Sequence, residues 1–258
     1  PLNSTIDKSV EYQWKRSGGY DVMSHIGASL SSIISAKIVE GLSYEMPRYR
    51  IKDYFAAKPE VLSNMDWTVC VFDTHTGNCC AFLCAQWLPF EGGTIMLYTL
   101  LIGERQQGGR VTYLALQGLF ELLARLDTPV FCRLILKTAN PQSYRIMELF
   151  ERLPDAEFYP SRSRKNSISL TETASRLARF LHPMNDFTSN TGTIAGAAGA
   201  VPMDFYPDNP VSRDSNLNHF FAERISLADR MLCVLDLPTN EVKRSLFRHF
   251  KVLFKGKL

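Results

Sequence analysis

Residues 97–150 constrain the fold more than any other part of the chain. An apolar run of strand length at 98–102 is followed by a glycine pair, and apolar residues then recur at helical spacing over 110–125. Pro129 ends that helix, and a second apolar run follows at 130–136. The stretch therefore predicts a strand, a glycine turn, a helix and another strand.

Asn140 and Pro141 predict the start of a second helix, because Asn caps a helix with its side chain and Pro needs no N–H at the first position. The glycine pair, Gly108 and Gly109, has two interpretations. Glycine lets backbone approach a ligand closely, and a helix start offers unpaired N–H groups and a positive dipole end to phosphate oxygens. Glycines in such turns also serve turn geometry alone.

With the turn at 105–109 and the segment at 138–143, the stretch resembles the central half of the GNAT superfamily of N-acyltransferases. In that family a Gln/Arg-x-x-Gly-x-Gly/Ala turn wraps the pyrophosphate of coenzyme A. The next strand splays away, and the pantetheine arm lies in the gap. The resemblance implies a mixed α/β sheet with the GNAT-like acyltransferase fold, splayed central strands and C-terminal helices. It also implies an acyl-CoA or related thioester as co-substrate, with no resident cofactor.

The resemblance places the cofactor contacts at two positions in the chain. The turn fits in two registers, beginning at Arg105 or at Gln106, and the capping Asn with a Ser three residues on flanks the pantetheine arm. The implied cofactor-binding residues are Leu101, Ile102, Gln106, Gln107, Gly108, Gly109, Arg110, Val111, Asn140 and Ser143.

Two departures from the family pattern affect individual roles. The last small residue of the turn is Val111 in one register and Arg110 in the other. The tyrosine that usually protonates the departing thiolate is replaced by Met147. Tyr144 is either a substitute by proximity or a packing residue. Glu104, just past the strand end, is either a base for the acceptor amine or an exposed glutamate.

Length and composition are those of a globular protein with one substantial core. The 258 residues are 45% hydrophobic and carry a net charge of +3, which is too small to imply nucleic acid by itself. No apolar run has the length of a membrane span, and the five histidines lack ligand spacing, so we expect neither a span nor a metal site. The six cysteines form no Cys-x-x-Cys pair, which indicates buried thiols and a cytoplasmic location.

Before the central stretch, the patterns predict a strand at 10–15, a helix at 22–39 and a short helix at 50–55. In the family that the chain resembles, this helical region closes over the acceptor substrate. Loop 42–49 is therefore the expected place for acceptor contacts, and a solvated loop is the alternative. The residues concerned are Tyr44, Glu45, Arg48 and Tyr49.

Antiparallel strands are predicted at 67–72, 79–87 and 95–102. Three such strands followed by a helix and a strand are typical of a mixed sheet rather than a doubly wound one. Beyond the central stretch, we expect paired last strands at 157–159 and 167–170.

The rest of the chain is predicted to be a helical extension. Residues 1–171 form the expected acyltransferase domain, and residues 172–258 form a C-terminal helical extension. Within this extension, the aperiodic segment 185–210 indicates a flexible or functional connection. Residues 215–258 are predicted to be helical throughout.

An amphipathic basic helix is predicted at 241–257. It either docks with a solvated face or offers a surface to an acidic carrier protein, RNA or anionic lipid. Its cationic residues are Lys243, Arg244, Arg248, Lys251 and Lys255.

The sequence thus favours an acyltransferase in which an amine attacks an acyl-CoA thioester directly. One alternative is a non-catalytic module of GNAT shape that uses its cleft for recognition. The other is an acyltransferase with a carrier-protein or aminoacyl-tRNA donor.

Overall fold

The computed structural model describes residues 12–27, 29–106, 109–125 and 128–254. The chain divides into two compact units. Unit 1 comprises Pro1–Gln86, Tyr98–Thr128 and Lys255–Leu258, and unit 2 comprises Trp87–Leu97 and Pro129–Phe254. The domain boundary expected at residue 171 lies inside unit 2.

Unit 1 contains a sheet whose strands follow the chain order. The strands are β1 (Tyr12–Ser17), β2 (Tyr20–Ile26), β3 (Trp67–Asp73), β4 (Cys79–Leu88, of which the last two residues belong to unit 2) and the second half of β5 (Thr94–Ile102). The pairs β1/β2, β2/β3 and β3/β4 are antiparallel. Nearly every side chain of β3 and β4 is buried, so these two strands form the centre of the core of unit 1.

Four helices belong to unit 1: α1 (Ser32–Glu45), α2 (Ile51–Ala57), α3 (Glu60–Ser63) and α4 (Arg110–Leu123). Helix α1 begins where the Ser31 side chain accepts a hydrogen bond from the backbone N–H of Ile34. Helix α4 packs on β2 and β3 with its apolar side, as its periodic sequence predicts.

Unit 2 contains the first half of β5 and the remaining strands and helices. The strands are β6 (Arg133–Thr138), β7 (Glu157–Tyr159), β8 (Phe187–Thr188), β9 (Thr193–Ile194) and β10 (Arg230–Asp236). The helices are α5 (Pro141–Glu148), α6 (Ile168–Leu181), α7 (Ser215–Ala222) and α8 (Asn240–Phe254). Strand β6 is parallel to β5 and antiparallel to β10, so the mixed α/β class is confirmed.

The parallel pairing of β5 with β6 is short. Among the described residues, it joins Thr94–Leu97 to Arg133–Leu136, and no later residue of either strand takes part in it. The rest of β5, Tyr98–Ile102, belongs to unit 1. The two strands are therefore not paired along their whole length, as splayed central strands require.

The helix expected at 22–39 is wrong at its beginning. Residues up to Ile26 form β2, which pairs with β1 and β3, and the helix starts at Ser32. Gly27, with φ of +119°, separates the two elements. Apolar residues on both sides of this break mimic one helical period, but strand pairing across the sheet determines the structure.

Two expectations for the later chain are also wrong. Residues 167–170 begin a helix instead of forming a strand, since the Ser167 side chain accepts a 3.2 Å hydrogen bond from the backbone N–H of Leu170. Residues 215–258 are not helical throughout, because Arg230–Asp236 is the buried strand β10. The segment 185–210 contains the short strands β8 and β9. The C-terminal part is therefore not an all-helical extension.

Candidate active site

The turn after β5 connects the strand to α4 within unit 1. Backbone hydrogen bonds fix its first part: Gly103 N–H donates to Cys80 O over 2.9 Å, and Gln106 N–H donates to Gly103 O over 3.0 Å. Two residues of the expected site, Gln107 and Gly108, lie outside the described residues. Leu101 and Ile102, at the end of β5, are buried and half-buried respectively.

Gly109 is the N-cap of α4 and has a left-handed backbone, with φ of +79°. This conformation favours glycine, because a Cβ atom would meet the neighbouring backbone. As a glycine, Gly109 contributes no side-chain cap, so the N–H groups of the first turn of α4 have no such partner from this residue. Such an end attracts anions through its N–H groups and its dipole.

The first two residues of α4 differ in environment. Val111 is buried, so its side chain packs into the core of unit 1. Arg110 is exposed, and its guanidinium donates to Ser17 O over 3.4 Å and stands 5.7 Å from the centre of the Tyr20 ring. The hairpin that joins β1 to β2 thus contacts the start of α4 and keeps a cation there.

Gln106 joins two other parts of unit 1 through its side chain. Its Nε2 donates to Glu45 Oε2 over 3.1 Å, and its Oε1 accepts a 3.0 Å hydrogen bond from the hydroxyl of Tyr20. The carboxylate can only accept, so it defines which way the amide points. Burial raises the pKa of Tyr20 above its usual value, which keeps the hydroxyl protonated as a donor. Both polar ends of the Gln106 side chain are therefore occupied by protein.

Glu45 is the last residue of α1 and is 3% exposed. Within the described part of the chain, Gln106 is the one side chain that donates to its carboxylate, and no Lys, Arg or His pairs with it. Fully buried glutamates are rare unless paired, and the C-terminal end of a helix disfavours a negative charge. The surroundings of Glu45 therefore offset less of the cost of burying its carboxylate than is usual for a buried glutamate.

Glu104 has a different environment from Glu45. Its carboxylate accepts a 2.8 Å hydrogen bond from Arg48 Nε, and the side chain is 18% exposed. Its backbone N–H donates to the carbonyl oxygen of Glu45 over 3.0 Å. The two glutamates are therefore neighbours, but among the described residues only Glu104 has a cationic partner.

The acceptor loop expected at 42–49 is partly helical. Residues up to Glu45 form the last turn of α1, and the irregular segment begins at Met46. Tyr44 is 52% exposed, and the guanidinium of Arg105 stands 4.3 Å from the centre of its ring. An exposed aromatic ring and a cation thus lie next to the turn.

The expected contacts of the pantetheine arm lie in unit 2. The Asn140 side chain caps α5, as predicted, by accepting a 2.9 Å hydrogen bond from Gln142 N–H. Ser143 N–H donates to Asn140 O over 3.1 Å, and both residues are half-buried. Asn140 thus caps α5 and Ser143 lies in its first turn, and the cofactor contacts of both residues stay a prediction.

Tyr144 is fully buried in unit 2. Its hydroxyl donates to Pro160 O over 2.7 Å, and its ring contacts Phe158 and Phe221 edge-on. Burial raises the pKa of Tyr144 far above its usual value. Met147 is fully buried as well. The surroundings of Tyr144 are those of a packing residue, since its proton is bonded to a backbone carbonyl.

The sequence did not indicate the role of Tyr20, because a hairpin residue 86 positions before Gln106 gives no spacing signal. Glu45 was placed in a loop, where its charge would be solvated. The helical spacing of Ile34, Ile38 and Leu42 was the available signal that the helix continues towards Glu45.

The predicted basic helix is docked in unit 2. Val242, Leu246 and Phe250 of α8 are buried, and Lys243 donates to Phe131 O over 2.8 Å. Arg244 and Arg248 are exposed. The side chain of Lys251 and the whole of Lys255 lie outside the described residues.

The described residues contain neither a candidate membrane-spanning helix nor a candidate metal site. No helix there has both the length and the apolar character needed to cross a membrane. No group of three or more His, Cys, Asp or Glu residues there is arranged to hold a metal ion.

No family model matches the chain, and neither does any curated protein sequence. Among solved structures, it is similar to the NatC complex bound to Gag peptide and CoA, with 13% identity and a TM-score of 0.29 over 45% of this chain and 74% of that chain. It is also similar to ribosomal-protein-S5-alanine acetyltransferase from Vibrio fischeri, with 9% identity and a TM-score of 0.36 over 88% of this chain and 97% of that chain. Both have the GNAT fold, the fold that the sequence resembles. At these TM-scores the likenesses carry no argument about activity, which must be argued from the site.

Proposed function

We propose that the protein is an N-acyltransferase that moves an acyl group from an acyl-CoA thioester to an amine. The observation that carries this proposal is the start of α4, where the left-handed Gly109 provides no side-chain cap and the cation of Arg110 lies in the first turn. Helix ends of this kind bind pyrophosphate oxygens through backbone N–H groups. The neighbouring buried carboxylate of Glu45 then suits an acceptor that carries a positive charge.

The reaction needs few catalytic side chains. The acceptor amine attacks the thioester carbonyl directly, and backbone N–H groups of residues 100–102 stabilise the negative charge on the carbonyl oxygen. Because the hydroxyl of Tyr144 is bonded to Pro160, the departing thiolate takes its proton from the attacking nitrogen or from water. Positioning and electrostatics supply most of the rate acceleration.

The proposal is tested with acetyl-CoA and longer acyl-CoA thioesters against a panel of primary amines, by measuring thiol release and product mass. Arg110→Glu is the diagnostic variant. A negative charge at a helix start stabilises the helix but repels pyrophosphate. We therefore expect a folded protein whose affinity for coenzyme A falls at least about tenfold, since loss of a charge-assisted contact is worth about 1.5–3 kcal/mol.

Lys52→Glu in α2 is the matched control, because Lys52 is also exposed and the substitution changes the charge equally. Equal affinities of the two variants for coenzyme A would remove the assignment of the α4 start as the phosphate site. The absence of thiol release with every thioester and amine would remove the transferase proposal.

A non-catalytic binding module is the second candidate. The observations that favour it are Met147 at the expected tyrosine position and the buried, bonded hydroxyl of Tyr144. Thermal stabilisation by coenzyme A without thiol release would support this function.

A carrier-protein or aminoacyl-tRNA donor is tested at the exposed cations of α8. Deleting this helix would remove buried residues, so the double substitution Arg244→Glu and Arg248→Glu is the appropriate change. If a macromolecular donor binds there, the activity of this variant with that donor should fall, while its turnover of acetyl-CoA should stay unchanged.

A further inference from the structure

We propose that Glu45 takes the proton from the acceptor amine, a role for which Glu104 was the candidate in the sequence. This inference rests on the proposed transferase function and names its base. Three features of unit 1 support it: the burial of Glu45, its position next to the end of β5, and the different pairing of the two glutamates.

Burial without a cation is the first feature. Glu45 is 3% exposed, and in the described residues its carboxylate accepts from the neutral amide of Gln106 only. A buried charge is normally paired, because its desolvation costs several kcal/mol. An ammonium group of a bound acceptor would offset this desolvation cost. In the described residues, no donor occupies the other oxygen of the carboxylate, so the ammonium group can bind there.

The second feature is the position of the carboxylate. A Cβ atom placed on Gly103 would lie 2.8 Å from Glu45 Cβ and 3.2 Å from Glu45 Oε2. Glu45 therefore lies against the residue that directly follows Ile102, where the thioester carbonyl is expected. Gly103 has no side chain where the end of β5 approaches α1. A proton acceptor here is next to the attacking nitrogen.

The third feature is that the neighbouring polar groups are already engaged. Glu104 is paired with Arg48, so its carboxylate has a cation and a donor. The hydroxyl of Tyr20 donates to Gln106, and burial raises the pKa of Tyr20, so this residue does not act as a base near neutral pH. Gln106 has no basic group and orients Glu45.

The proton transfers balance as follows. The acceptor ammonium gives one proton to the Glu45 carboxylate and becomes a neutral amine. The nitrogen lone pair forms the C–N bond to the thioester carbon, and the C–S bond then breaks. The second proton on nitrogen passes to the departing thiolate, and Glu45 releases its proton to water. The products are an amide, a free thiol and one proton.

The test compares Glu45→Gln with Glu104→Gln, using acetyl-CoA and a panel of spermidine, tyramine, glucosamine and short peptides with a free amino terminus. Both substitutions preserve side-chain shape and remove one charge. We expect kcat/KM to fall about 100-fold to 1,000-fold in Glu45→Gln and less than about threefold in Glu104→Gln, because general bases contribute about 10²–10⁴-fold. Affinity for acetyl-CoA should stay within about twofold in both variants.

Chemical rescue separates a base from a structural residue. In Glu45→Ala, the cavity left by the side chain admits formate, which should restore activity at least about tenfold. Formate should have no effect on Glu45→Gln, where no cavity exists.

Different experimental results would contradict the role of Glu45 and the transferase function. If the wild type releases thiol and Glu45→Gln does so within about threefold, Glu45 is not the base. A parallel loss of acetyl-CoA affinity, or Glu45→Ala activity that formate does not restore, shows a structural role instead. A wild-type protein that releases no thiol with any amine overturns the transferase function, and the base with it.

Discussion

The side-chain amide of Gln106 donates to the buried carboxylate of Glu45 over 3.1 Å, in the turn that the sequence assigned to cofactor binding. The same amide accepts from Tyr20 over 3.0 Å. Gln106 therefore connects the turn after β5 to the end of α1 and to the start of β2. We infer that this glutamine fixes the start of the turn that the proposed function assigns to phosphate binding.

The first prediction concerns charge at this contact. Gln106→Glu replaces the donor with a second carboxylate facing Glu45, so both groups lose a hydrogen bond and repel each other. We expect the free energy of unfolding to fall by about 1–3 kcal/mol. Urea denaturation of the variant and the wild type at neutral pH measures it.

Gln117→Glu is the matched control for this prediction. Gln117 also donates to a glutamate, Glu121, but on the exposed side of α4. A like-charged pair one helical turn apart on a surface costs only about 0.2–0.5 kcal/mol. Equal losses in the two variants would show that the burial of Glu45 does not matter.

The second prediction concerns the backbone of Gly109. Gly109→Ala places a Cβ atom on a residue with φ of +79°, which costs about 1–2 kcal/mol. Because the strain lies at the start of α4, affinity for coenzyme A should fall together with stability. Gly19→Ala is the control, since Gly19 has no positive φ and a Cβ atom there meets no atom within 4 Å. Unchanged affinity in Gly109→Ala, measured by calorimetry, would contradict the assignment of this turn.

Local sequence signals were sufficient for the central elements. The apolar run of β5, the period of α4 and the Asn140–Pro141 helix start each depend on neighbouring residues, and each is confirmed. The turn could also be located from its glycines. Its contacts with Tyr20 and Glu45 could not, because they join residues distant in sequence and are set by how the strands and helices of unit 1 pack.

The errors occurred where short apolar runs fit either kind of element. Residues 231–235 of β10 form a continuous apolar run, which is equally compatible with a buried helix segment and a buried strand. Pairing on both sides, with β6 and with β7 and β9, makes it a strand. At β2, the glycine after Ile26 and the capping Ser31 were the local signals of a break, but the apolar spacing continued across them.

The third prediction separates packing from catalysis at Tyr144. Tyr144→Phe removes a hydroxyl that donates to Pro160 O, which leaves a buried acceptor unsatisfied and costs about 1–3 kcal/mol. Thiol release should stay within about twofold, because the hydroxyl is not a proton donor in the reaction; a general acid would contribute about 10²–10⁴-fold. Tyr159→Phe is the control, since that buried tyrosine also donates to a backbone carbonyl, that of Ser189. A much larger loss of activity in Tyr144→Phe than in the control would restore its catalytic role.

The last prediction concerns the pH dependence of unit 2. His182 Nε2 lies 2.6 Å from Lys137 Nζ, and burial together with this ammonium group lowers the pKa of His182 from 6.5 to about 4. The folded protein therefore keeps the imidazole neutral in a range where the unfolded chain binds a proton. Its contribution to stability is complete above pH 6.5 and is lost as the pH falls towards 4.

Lys137→Met removes the ammonium group but leaves the burial, so the pKa of His182 should rise and still stay below its usual value. The variant should then lose less stability than the wild type between about pH 7 and pH 4.5, because its folded state binds the proton more readily. Histidine NMR resonances give the pKa, and melting temperatures across the range give the stability; His182→Gln identifies the resonance and removes this part of the pH dependence. An imidazole in the wild type that titrates near its usual value would contradict the contact with Lys137, since a neutral ring is what that contact requires.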